Sequence, residues 1–218
     1  MEIIVEGKAK DFVKPDKVNL DFTFRIMSQS YMEAIFKGGK VVEKFIDEVL
    51  VKNGFKSSDM KTRSFVVREE QQYNEILKKY EFKGYSFNQS THIEFDYDKD
   101  KIDRLIQDIS RLEDAPVYHI SFGIKDLNGC KRKIISKSYK DAKAQAQAIA
   151  SAAGLTLKNC AKVDFKPFSN SYVSDSIYET RGVGSLLKSE SFEKNNSIAF
   201  TPEDIEVNEV LYCLWIAE

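Results

Sequence analysis

Lys131-Arg132-Lys133-Ile134-Ile135-Ser136-Lys137-Ser138-Tyr139-Lys140-Asp141-Ala142-Lys143-Ala144-Gln145-Ala146-Gln147-Ala148-Ile149-Ala150-Ser151-Ala152-Ala153-Gly154 is the stretch on which the fold turns. It predicts a long helix from about Lys131 to Ala153, closed by Gly154. Alanine is the best helix former, and glycine takes the left-handed stop cheaply. Two alanine rows recur at four-residue spacing: Ala142, Ala146, Ala150 and Ala144, Ala148, Ala152. Rows without bulk let neighbouring elements approach closely, here on two sides. The basic triplet that opens the helix reads as a solvated face.

Strands flank this helix. Upstream, Tyr118, Ile120, Phe122 and Ile124 fall on one side of a strand at 117–126. Downstream lies a strand at about 159–166. The strand Ile205 to Ile216 has Val210, Tyr212, Leu214 and Ile216 on one face and Leu211, Cys213 and Trp215 on the other. With both faces apolar it belongs in a sheet interior.

Towards the N-terminus, residues 2–6 read as a short strand ended by Gly7, and Lys14-Pro15-Asp16 reads as a turn. Val18, Leu20, Phe22, Phe24 and Ile26 then alternate with Asn19, Asp21, Thr23 and Arg25, the pattern of a half-buried strand. A helix follows at about 31–52. Caps are offered between Ser28 and Ser30, Gly38-Gly39 lies in its middle, and Asn53-Gly54 stops it. Strands at about 60–70 and 80–97 bracket a polar hairpin region, Glu69 to Lys79. A short helix is expected at 99–112. A strand, helix, glycine and strand recur over 17–68 and 117–166.

The fold class is therefore α+β: a mixed or mostly antiparallel sheet covered by two long helices and one short one. One domain over 1–218 and two interlocked β-α-β subdomains remain alternative organisations. From Phe168 to about Thr201 the chain is serine-rich and aperiodic, a long loop of the kind that is often functional. Its aromatic residues Tyr172, Tyr178 and Phe192 are the candidate binding residues, read as anchors for a partner.

Composition narrows the function classes. The chain has 33 basic and 34 acidic side chains, a net charge of −1, which gives no electrostatic reason to expect nucleic acid. Its 42% apolar content supports a packed core. Cys130, Cys160 and Cys213 are odd in number and widely spaced, which fits a reducing compartment and free thiols. No stretch approaches the roughly 20 apolar residues of a membrane helix. No basic region followed by an apolar run opens the chain, so a cytoplasmic location is expected. An exported one is expected instead if Met1 is an added start on a trimmed chain.

No residue pattern points to catalysis. His92 and His119 fall on the polar sides of strands and lack helical partners at metal-ligand spacing. Gly182-Val183-Gly184-Ser185 lacks the strand–loop–helix context of a phosphate cradle. Glu69-Glu70 and Glu203-Asp204 read as solvated charges. Cys130, near a helix start where the dipole could activate a thiol, reads first as a buried, inert cysteine. No catalytic residue, metal or cofactor is assigned.

Six segments in order resemble the SIMPL-domain family over almost the whole chain. They are Ile4-Val5-Glu6-Gly7, Pro15-Asp16 with its alternating strand, Gly84-Tyr85, Phe122-Gly123-Ile124-Lys125-Asp126, the alanine repeat to Gly154, and Pro202-Glu203-Asp204-Ile205-Glu206-Val207. The resemblance implies structural roles for these residues and brings no catalytic motif. Family members are mostly exported, and some assemble into rings or act against oxidative stress. The expectation is a non-enzymatic binding or assembly protein that forms a homo-oligomer. The alternatives are an oxidative-stress protein using a reactive thiol and a protein-interaction adaptor.

Overall fold

The computed structural model describes residues 1–168 and 201–218. These form two units, one holding residues 14–125 and the other joining 1–13 to 126–168 and 206–218.

The unit of residues 14–125 is built on four antiparallel strands in the order β3-β4-β2-β5. β2 is Lys17–Ser28, β3 Lys61–Asn74, β4 Lys79–Asp96 and β5 Val117–Gly123. The alternation in β2 does what it predicts: Val18, Leu20, Phe22 and Phe24 are buried, and the intervening polar residues face away. Helix α1, Tyr31–Phe45, covers the apolar face. Ser30 caps it, its Oγ accepting from Glu33 N at 3.2 Å. Its stripe is Ala34, Gly38, Val42 and Phe45, and Phe45 meets Phe22 and Phe24 edge-on at 4.8 and 5.1 Å. Of the two mid-helix glycines only Gly38 is tight: a methyl group there would strike the Phe87 ring, whereas Gly39 faces open space. The helix widens into a π-helical segment at Ile46–Val51, which buries Val49 and Leu50.

Helix α2, Lys99–Ile109, is capped by Asp98 and buries Ile102, Leu105, Ile106 and Ile109. Asp108 is buried beside them. It accepts from Lys52 Nζ at 2.7 Å, Asn53 Nδ2 at 2.9 Å and Arg111 at 3.1 Å, so it ties α2 to the end of the π segment.

β3 runs further than the sequence predicts, whereas β4 keeps close to its expected bounds. The polar hairpin region is paired out to Asn74 opposite Lys79. β2 ends at Ser28 opposite Tyr85, so residues 70–84 continue as a two-stranded ribbon beyond the sheet. At its root Gly84 adopts φ +132, and a Cβ there would meet the Ser28 carbonyl oxygen at 2.5 Å.

The other unit has a sheet in the order β1-β7-β6, with β1 Glu2–Val13, β6 Leu157–Asp164 and β7 Ile205–Ala217. β7 takes the central place its two apolar faces predict. β1 is longer than expected and runs through Gly7. The reason lies in α3, Leu127–Ala152, whose N-cap is Asp126. Gly7 passes so close to α3 that an added Cβ would lie 2.7 Å from Ala142 Cβ and closer still to the Ser138 carbonyl oxygen. Ala142, Ala146 and Ala150 are fully buried against Ile3, Val5, Leu211, Cys213 and Trp215. Large strand side chains thus fill the space that a smooth helix face leaves. The second row corrects the expectation of packing on two sides: Ala144, Ala148 and Ala152 are exposed. The apparent internal repeat also ends at the level of sequence, because β2 and β3 of its first copy share one sheet whereas β5 and β6 of its second lie in different sheets.

Two predictions follow the packing. Ala142→Leu should cost about 1–3 kcal/mol or more in urea unfolding, whereas Ala144→Leu should stay within about 0.5 kcal/mol of the parent. Asp108→Asn should also destabilise. The Lys52 hydrogen bond, aided by Asn53 and the nearby cations, holds the Asp108 carboxyl below its ordinary value of 3.8. Its contribution is therefore present above that value and lost as pH falls through the depressed one. The gap between parent and Asp108→Asn, followed by circular dichroism, should be widest near neutral pH and close in strong acid.

Candidate functional site on the open face of the four-stranded sheet

The face of β2 turned away from α1 carries Asn19, Asp21, Thr23 and Arg25. Strand register decides what they meet. Asp21 stands opposite His92 of β4 on one side and His119 of β5 on the other. Both histidines of the chain therefore flank one carboxylate. His92 Nδ1 lies 3.0 Å from Asp21 Oδ1, and Arg63 of β3 reaches the same oxygen at 2.6 Å. An ionised carboxylate can only accept, so the ring nitrogen that meets it, Nδ1, is the donor. Nε2 faces Glu94 at 3.9 Å, and Glu94 is itself paired with Lys17. The Lys17 hydrogen bond holds the Glu94 carboxyl below its usual range. The His92 side chain is 15% exposed.

A second network lies along the same face. Glu70 accepts from Ser86 Oγ at 2.7 Å, Arg68 Nε at 3.1 Å and Arg25 at 3.4 Å, and Asn88 donates to Ser86 Oγ at 2.9 Å. The Ser86 and Arg68 hydrogen bonds hold Glu70 well ionised, below the usual carboxylate range. In both networks a carboxylate accepts from donors on other strands, and Glu70 also from Arg68 on its own strand.

A His–Asp pair is one part of a nucleophilic triad, but the position facing His92 Nε2 holds a carboxylate and no hydroxyl or thiol. Among the described residues no three His, Cys, Asp or Glu gather to hold a metal. A shallow hollow of about 220 Å³ beside Phe24, Arg25, Val41 and Asp114 falls below the roughly 300–1,000 Å³ of ordinary ligand pockets. The face is therefore a polar surface with its charges satisfied internally.

Of the thiols, Cys130 lies near the start of α3, as read from sequence, but is partly exposed where a buried, inert cysteine is expected. The structure adds a pairing that the wide spacing conceals: Cys160 on β6 and Cys213 on β7 lie within interaction reach, beside Tyr139 and Trp215. Burial, then the Cys160 thiol, pushes Cys213 up to about 11. Burial likewise raises Tyr139. A thiol with so little thiolate near neutral pH is a poor nucleophile.

The aromatic anchors expected from sequence, Tyr172, Tyr178 and Phe192, lie outside the described residues. Exposed apolar side chains gather instead on the β3–β4 ribbon: Tyr73, Ile76, Leu77, Tyr80 and Phe82. The sequence signal for them was Ile76-Leu77 between two tyrosines, submerged in the charge of Glu69 to Lys79. For the thiols, native protein titrated with a chromogenic disulfide at pH 8 should release Cys130 and Cys160 well before Cys213. Peptide mass mapping would give the order.

No curated protein matches the chain, and no helix among the described residues is long and apolar enough to cross a membrane. A family model described as SIMPL, protein of unknown function (DUF541), matches residues 3–211. With that match over nearly its whole length, and with the α+β architecture described above, the chain belongs to the SIMPL family.

Proposed function

We propose that this chain is a non-enzymatic assembly module that joins a second copy of itself along the outer edge of β3. The observation that carries the reading is the state of that edge. β3 is 14 residues long and, among the described residues, has no strand on its outer side. Long exposed edges are templates for pairing, and proteins that must stay single blunt them with charge, proline or short length. The centre of β3, Ser64-Phe65-Val66-Val67, has none of these and lies between the register shifts at Thr62/Ser64 and Glu70/Gln71; its Phe65 and Val66 are 51% and 49% exposed.

Charge along the strand favours a partner of the same sequence running the other way. Lys61 and Arg63 stand at one end of the uncharged centre, Glu69 and Glu70 at the other. An antiparallel pairing of two copies centred near Val66 brings the basic end of each beside the acidic end of the other. The same pairing would continue one four-stranded sheet into the next.

Light scattering across a concentration series should give a dimer or larger species for the parent and a monomer for Val66→Lys, with unchanged circular dichroism. A parent that stays monomeric at every concentration, or a Val66→Lys variant that assembles equally well, would sink the reading.

A further inference from the structure

The tip of the β3–β4 ribbon has a composition and a hydrogen-bond pattern that β3-edge pairing leaves unexplained. The turn connecting the strands is residues 75–78. At its apex Ile76 is 92% exposed and Leu77 is 55% exposed. Directly behind them Tyr73 and Tyr80 face each other across the ribbon, rings edge-on at 5.2 Å. Lys78 and Lys79 follow the aliphatic pair at once.

Two amides of the apex already have partners. Asn74 Oδ1 accepts from both Ile76 N and Leu77 N at 3.0 Å, and Asn74 Nδ2 donates to Glu81 at 3.1 Å. An apex meant only for water has no need of this, since water would serve both amides. An apex that leaves water does need it, because unpaired amides are costly in an apolar medium. The same bonds hold the turn in one shape, so Ile76 and Leu77 are presented without a large ordering cost.

We infer that the apex is a peripheral lipid anchor: Ile76 and Leu77 enter the acyl–headgroup boundary of an anionic leaflet, with Tyr73 and Tyr80 at headgroup level. The layering is that of interfacial insertion, aliphatic tip first, aromatic collar next, lysine amines beside it. One strand step, about 3.3 Å, and then the turn of residues 75–78 carry the apex beyond the Tyr80 level, in the direction in which interfacial segments enter to about 5–10 Å. Charge selects the leaflet. Lys78 and Lys79 against Glu75 leave the apex with net charge +1, complementary to an anionic headgroup.

The full chain, co-sedimented with vesicles of phosphatidylcholine alone and of phosphatidylcholine mixed with phosphatidylserine, tests this. The parent should partition to both and more strongly to the anionic mixture, with the excess weakening as salt rises. Ile76→Ser/Leu77→Ser should lose at least about tenfold in partitioning. Ile76→Ser alone, at a side chain almost wholly in water, should lose part of it. Lys78→Glu/Lys79→Glu should abolish the preference for phosphatidylserine. Val66→Lys should bind vesicles like the parent, which separates this outcome from that of the β3 edge. A parent that stays in the supernatant with both vesicles overturns the inference. So does a double serine variant that sediments as well as the parent. Loss of oligomers by that variant with vesicle binding unchanged also overturns it, and assigns the apex to protein contact.

Discussion

The alternation of β2 is the constraint on which the four-stranded unit depends. Val18, Leu20, Phe22 and Phe24 are buried to 1% exposure or less, so the strand cannot slip by one residue without turning its whole apolar set to water. That fixed register places Asp21 between His92 and His119, and Arg25 within reach of Glu70. The polar network is thus a by-product of core packing on the opposite face, which is why it is so fully self-paired.

The alanine helix imposes a comparable constraint on the other unit. Three buried methyl groups and Gly7 let β1 lie against α3, and the strand side chains provide the bulk. Since Ile3, Val5, Leu211 and Trp215 all press on one helical stripe, the neighbouring stripe is left to solvent.

Much of the architecture was legible because it is local. The β2 alternation, the Ser30 cap, the α2 stripe, the alanine helix and the two-faced β7 all announce themselves within a few residues. Two kinds of feature were hidden. Strand extent was one: the charge of Glu69 to Lys79 resembles a loop, yet a ribbon with two wet faces bears just such residues. Gly7 likewise reads as a terminator until α3 is known to need its missing side chain. Spatial pairing was the other. No spacing rule joins Asp21 to His92, or Cys160 to Cys213, because sheet register links residues far apart in sequence. The SIMPL resemblance supplied the family and the fold but no residue roles, so the candidate site had to come from geometry.

The pairing of β1 with β7 sets the order in which the molecule can form. The Met1 amino group donates to the Ala217 carbonyl at 2.6 Å, and Ala217 N donates back to Met1 at 2.9 Å. β1 ends at Val13 and β7 begins at Ile205, so the first strand waits for the last. During synthesis the residues of the four-stranded unit emerge as one contiguous stretch and can close their own core early. β1 and α3, by contrast, lack their central strand until residues 205–217 have been made. Closing the chain over that distance adds an entropic cost to the docking of β1 on β7 that the strands of the other unit, closer in sequence, do not bear.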